Sequence, residues 1–107
     1  MTLALLSSGA VYGSAQTTYN GQPLTKVLFQ GHERWEEGRK QAQDIGYHDG
    51  LHDGRWDLDH HRPFRLEKEA SFRNADHGYQ PFYGDRARYQ EEYRHAYERG
   101  YREGYHR

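Results

Sequence analysis

The chain has 107 residues, 34% of them hydrophobic, a formal net charge of -1 and no cysteine. That length allows one domain, and the apolar content falls well short of the roughly 45–50% of ordinary globular chains, so ten Tyr, four Phe and two Trp must fill a thin core. The balanced charge argues against a dedicated polyanion binder, so no nucleic-acid partner is expected, and the lack of cysteine excludes disulfides, thiolate metal sites and thiol nucleophiles.

Met1–Ala15 has the form of the end of a secretory signal peptide. Leu3-Ala4-Leu5-Leu6 is apolar, and Gly13-Ser14-Ala15 places small residues at the -3 and -1 positions of a cleavage after Ala15. A basic segment before the apolar run is missing, since the first Lys or Arg is Lys26. Residues 16–31 read as a linker after a flexible N-terminus, with a turn signal at Asn20-Gly21, then Pro23, and a strand-like composition over Leu24–Phe29.

Residues 32–107 are expected to form a mainly α domain in which two long helices pack as an antiparallel hairpin. The first spans about Glu33–Leu58 and carries Gly38, Ala42, Gly46, Gly50 and Gly54 at a spacing of four. The second spans about Arg86–Tyr105, with Asp85 as its N-cap. It carries Ala96, Gly100 and Gly104 at the same spacing, and beside them Tyr89, Tyr93, Tyr97, Tyr101 and Tyr105. A weak internal repeat, Ala-x-x-x-Gly-Tyr-x-x-Gly, relates Ala42–Gly50 to Ala96–Gly104.

Each helical glycine costs roughly 0.8–1 kcal/mol relative to alanine. A strict spacing of four puts the small residues on one ridge, where two backbones can approach closely. Such small-xxx-small ridges are expected to pack against tyrosine rings or to serve self-association. Between the helices, Asp59–Gly84 is an aromatic connector. Leu66–Ala75 is expected to form a short helix, and Phe64, Phe72, Tyr79, Phe82 and Tyr83 are expected to fold back onto the helical pair. The first helix is acidic, with eight acids against four bases over Glu33–Asp59, while Arg86–Arg107 has six Arg against four Glu.

The polar residues offer limited chemistry. His48 and His52, four apart, share a helix face and could hold a divalent metal with help from His60, His61 or Asp49. No zincin motif is present, and a solvated helix face is the default for such residues. Asp49, Asp53 and Asp57 form a second stripe, read as solvated or as meeting Arg94, Arg99 or Arg102. There is no nucleophile elbow, phosphate-cradling loop or dinucleotide fingerprint, so the chain is read as non-enzymatic, with no cofactor beyond a weakly held divalent metal.

Gly46–Gly54, Arg62-Pro63-Phe64, Asn74–Tyr79, Tyr83–Arg86 and the run Tyr93–Tyr105 together resemble small secreted Tyr/Gly-rich proteins of environmental bacteria, particularly acidobacteria. The resemblance covers about Gly38 to the C-terminus and implies envelope export and a shared helical design, with no activity attached. The expectation is therefore a secreted or periplasmic structural or interaction module, whose partner is itself or another envelope protein, with no membrane span in the mature chain. The alternative is a divalent-metal-binding envelope protein.

Overall fold

The computed structural model describes residues 18–106. The expected signal peptide, Met1–Ala15, lies outside them. The described residues divide into two units between Glu33 and Arg34.

In the first unit, β1 (Thr18–Tyr19) pairs antiparallel with β2 (Gln22–Pro23). Asn20 and Gly21, at φ of 52° and 77°, make the turn between them. Two positive φ values are what a tight two-residue hairpin loop demands, and Asn-Gly supplies them at low cost. Helix α1 follows directly at Leu24 and runs to Asp59, 36 residues in all. It thus begins nine residues before the expected start, and the strand-like reading of Leu24–Phe29 is corrected. Leu24, Lys26, Leu28 and Gln30 are adequate helix formers, and a helix extending an existing one avoids the nucleation cost that an isolated segment faces.

In the second unit, the connector carries a 3-10 turn (Leu66–Lys68), helix α2 (Ala70–Asn74) and another 3-10 turn (Pro81–Tyr83). The expected helix over Leu66–Ala75 is therefore split, with Leu66 buried and Ala70 exposed. Helix α3 spans Arg86–Tyr105, and its N-cap is Asp85, whose carboxylate accepts from the Ala87 amide at 3.0 Å. His61, at φ 57°, ends α1 in a Schellman cap: its amide donates to Leu58 O, and the Arg62 amide to Asp57 O.

The two long helices pack against each other, as expected, but they run parallel, which corrects the antiparallel arrangement. Gly46, Gly50 and Gly54 abut the carbonyl groups of Tyr93, Tyr97 and Tyr101 in that order, and Gly100 and Gly104 abut those of Tyr47 and Leu51. Both sets ascend together. Parallel helices need a connector that returns along their length. This one does so: Phe64 lies against Tyr101 and Tyr105, Phe72 against Tyr97, and Tyr79 against Tyr89. Ala75 and Gly78, both at positive φ, turn it on the way.

Tyrosine supplies the large side chains at the centre of the core. Tyr89, Tyr93, Tyr97 and Tyr101 are fully buried, joined by Trp35, Ala42, Leu66, Ala75 and Tyr83. No helix among the described residues is long and apolar enough to cross a membrane.

Candidate functional site

The site is the seam between α1 and α3. At each glycine of the ridge, the direction a Cβ would take is that of an α-hydrogen, so Gly46, Gly50 and Gly54 aim C–H groups at α3 carbonyls. The contact is reciprocal. Gly50 sits between the Tyr97 carbonyl and the Tyr101 amide, while Gly100 sits between the Tyr47 carbonyl and the Leu51 amide. Hence Gly50 and Gly100 share a level, and Gly54 and Gly104 share the next. Ala42 and Ala96 are buried on the same ridges. Only at Gly38 does a tyrosine ring take the groove, with Tyr83 Cγ 2.7 Å from where a Cβ would stand. The ridge expected to serve self-association is thus occupied by α3 of the same chain.

Close backbones bring the flanking stripes together. The Tyr93 hydroxyl donates to Asp49 Oδ2 at 2.5 Å, Tyr97 to Asp53 Oδ2 at 2.6 Å, and Tyr101 to Asp57 Oδ2 at 2.5 Å. Each pair is 44 residues apart, as parallel helices in register require. The stripe expected to face solvent or arginine is therefore a hydrogen-bonding partner of the tyrosine ladder, and Asp57 is only 1% exposed. The ladder's ends use carbonyls: Tyr89 donates to His77 O at 2.6 Å and Tyr105 to Arg62 O at 2.5 Å. Tyr93, Tyr97, Tyr101 and Tyr105 stack in succession with centroids 6.0–6.1 Å apart, as does the pair Tyr83–Tyr89.

Burial, and then the adjoining carboxylates, drive the phenol pKa values of Tyr93, Tyr97 and Tyr101 far upward, and burial pushes Tyr89 up to about 12. Glu69, just before α2, joins the same cluster. Burial, a hydrogen bond with Asp57 and the negative charge of Asp57 and Asp53 raise its pKa to about 7. Replacing Tyr97 with Phe leaves Asp53 short of a buried donor. The expected loss is about 1–2 kcal/mol in urea unfolding, whereas Tyr47→Phe, whose hydroxyl meets Glu103 at an exposed position, is expected to change stability by less than about 0.5 kcal/mol.

The five arginines of α3 are engaged elsewhere. Arg86, Arg88, Arg94, Arg99 and Arg102 lie over the rings of Tyr79, Trp35, Phe72, Tyr47 and Phe64 at 4.0–6.0 Å. Arg94 also donates to the carbonyls of Phe72 and Arg73, tying α2 to α3.

The histidines of the metal expectation are dispersed. His48 and His52 are exposed and line a depression of about 300 Å³ with Leu51, Arg55, Trp56 and Asp59. His60 stacks on Trp56 at 3.8 Å and approaches its carbonyl, His61 caps α1, and Asp49 already receives Tyr93 and His77. Among the described residues, no three of His, Asp and Glu stand close enough to share a metal ion. Sequence reasoning missed Glu69 and His77 as partners of the aspartate stripe. Neither carries a spacing signal, since both lie on the connector.

Comparison of the chain with protein families, with curated proteins and with solved structures finds no match.

Proposed function

We propose that this chain is an exported structural or interaction module of the Tyr/Gly-rich secreted kind, non-catalytic in itself, acting in the periplasm or outside the cell. The observation that supports this reading most directly is that the repeated residues are occupied with one another. Gly, Tyr and Asp ladders together hold two helices in register, and what they leave outward is a stripe of His48, His52, Trp56 and His60 on the far side of α1. Trp56, 49% exposed, gives that stripe an apolar ring to present to a partner. We assign this face to a second copy of the chain or another envelope protein.

Sedimentation velocity over a concentration series, together with cross-linking in cells from a photoreactive side chain at position 56, tests the reading. Association or a captured envelope protein, weakened by Trp56→Ser at unchanged melting temperature, is the expected result. A chain monomeric throughout that also captures nothing from position 56 would overturn it. Export is tested separately: the extracytoplasmic form should begin at Gln16, and a chain retaining Met1 in the cytoplasm would refute that part.

A second reading, divalent-metal binding, draws on the shared depression of His48 and His52. Two imidazoles four apart on a helix, with water completing the shell, suit zinc, nickel or copper. In isothermal titration, binding no tighter than that of the His48→Ala/His52→Ala variant would rule it out.

A further inference from the structure

The seam combines two features that structural packing alone does not require. Four phenol rings, Tyr93, Tyr97, Tyr101 and Tyr105, stand in a stack at 6.0–6.1 Å, and the first three each donate to a carboxylate at 2.5–2.6 Å. A phenol gives up an electron readily only if its proton can leave at the same time, because the protonated phenoxyl cation is a very strong acid. A carboxylate at hydrogen-bond distance is a base placed where that proton must go. We propose that the seam is a redox-active tyrosine ladder, which surrenders an electron to a one-electron oxidant and holds the oxidising equivalent as a neutral tyrosyl radical on Tyr93, Tyr97 or Tyr101.

The step balances within the pair. At Tyr97 the phenolic O–H bond breaks, its proton forms an O–H bond with Asp53 Oδ2, and one electron passes to the oxidant, which is reduced by one. The products are a neutral phenoxyl radical and a neutral carboxylic acid. Migration balances as well. An electron moves from Tyr93 to the Tyr97 radical, the Asp53 proton returns to Tyr97, and the Tyr93 proton passes to Asp49. Each unit is a phenol–carboxylate pair, so the equivalent can pass from one to the next along the stack.

Three observations set these tyrosines apart from the rest. Tyr89 and Tyr105 donate to backbone carbonyls, which are far weaker bases than a carboxylate. Tyr47 reaches Glu103, but at an exposed position where its radical would meet solvent and other molecules. Tyr93, Tyr97 and Tyr101 are fully buried, so phenoxyl coupling between molecules is blocked and the radical is protected. Their raised phenol pKa values keep each phenol protonated in alkaline solution as well, so electron and proton leave together there too.

The test uses the full chain with photogenerated tris(bipyridine)ruthenium(III) as the oxidant. Transient absorption and freeze-quench electron paramagnetic resonance follow the tyrosyl signal. Wild type is expected to give a long-lived radical whose formation slows in deuterated water. Tyr97→Phe leaves the Tyr93–Asp49 and Tyr101–Asp57 pairs and should lower the yield of the long-lived radical, whereas Tyr93→Phe/Tyr97→Phe/Tyr101→Phe should leave only the short-lived signal of exposed tyrosines. Asp49→Asn/Asp53→Asn/Asp57→Asn keeps an acceptor for each of the three hydroxyls but removes the bases, and should lower the buried radical yield several-fold with the helical circular dichroism retained. A radical equally long-lived in the triple phenylalanine variant, a yield unchanged in the triple asparagine variant, or a wild-type signal confined to exposed tyrosines would each overturn the proposal.

Discussion

Replacing Gly50 with alanine is expected to destabilise the protein by about 2–4 kcal/mol, the reverse of what the same change does in an isolated helix, where alanine gains roughly 1 kcal/mol. A Cβ at this position would press on the carbonyl oxygen of Tyr97 and lie 2.8 Å from the amide nitrogen of Tyr101 and 2.9 Å from Tyr97 C. These are backbone atoms of a helix and cannot rotate aside as a side chain would. The helices must separate, and because they are rigid rods in parallel contact, separation at Gly50 also loosens Gly46, Gly54 and Gly100. The three tyrosine–aspartate hydrogen bonds then lengthen with their backbones. Gly31 is the internal control, since it lies in the same helix with nothing within 4 Å of its Cβ position. Gly31→Ala is expected to stabilise by about 0.5–1 kcal/mol. Urea unfolding of the pair gives opposite signs if the seam is as close as described. A Gly50→Ala chain as stable as wild type would show that the backbones do not meet there.

Much of this seam can be read from the sequence, and the part that cannot has a physical cause. Glycines at a strict spacing of four would be wasteful in a helix unless something approached them, so a buried ridge follows from Gly46, Gly50 and Gly54 alone. Helix α3 and its Asp85 cap follow from the tyrosine periodicity and a single N-cap residue. The direction of pairing does not follow. Two ladders with the same spacing match equally well either way: Asp49, Asp53 and Asp57 could meet Tyr101, Tyr97 and Tyr93 in an antiparallel pair. What decides it is the connector. Phe64, Phe72 and Tyr79 are spread along its length and each covers a different rung of the tyrosine ladder. A connector that lies along the whole seam returns the chain to where α1's side of the seam begins, and α3 must then run parallel. The aspartate stripe was obscured for a related reason. Carboxylates four apart on a helix are usually solvated, and the Tyr101 hydroxyl, a polar tip on an apolar ring, gives buried Asp57 a donor without an arginine.

Glu69 makes the stability of this seam depend on pH, and the direction can be worked out from its neighbours. It faces Asp57 and Asp53 from α1 and the hydroxyl ends of Tyr97 and Tyr101 from α3, with Arg62 as an opposing cation. Its pKa in the folded chain is about 7, against 4.5 for an unperturbed glutamate. Between those two values the unfolded chain has released the proton and the folded chain still holds it, so folding takes up a proton and stability falls as pH rises. The contribution is complete below about 4.5, is lost as pH climbs through about 7, and is flat above. Solvent around the half-buried side chain screens the effect to about 1–2 kcal/mol. Glu69→Gln keeps a donor for Asp57 and cannot ionise. It is therefore expected to match wild type in urea unfolding at acidic pH and to exceed it by that margin in mildly alkaline buffer. Asp57→Asn should shift the wild-type transition to lower pH by removing the nearest negative charge. A constant difference between wild type and Glu69→Gln at all pH values would mean that Glu69 holds no extra proton in the fold. The expected loss of that proton also has a structural direction. Ionised Glu69 is repelled from Asp57, and it immediately precedes α2, whose Phe72 covers Tyr97, so the connector is the element that loosens first and the buried ladder is what it uncovers.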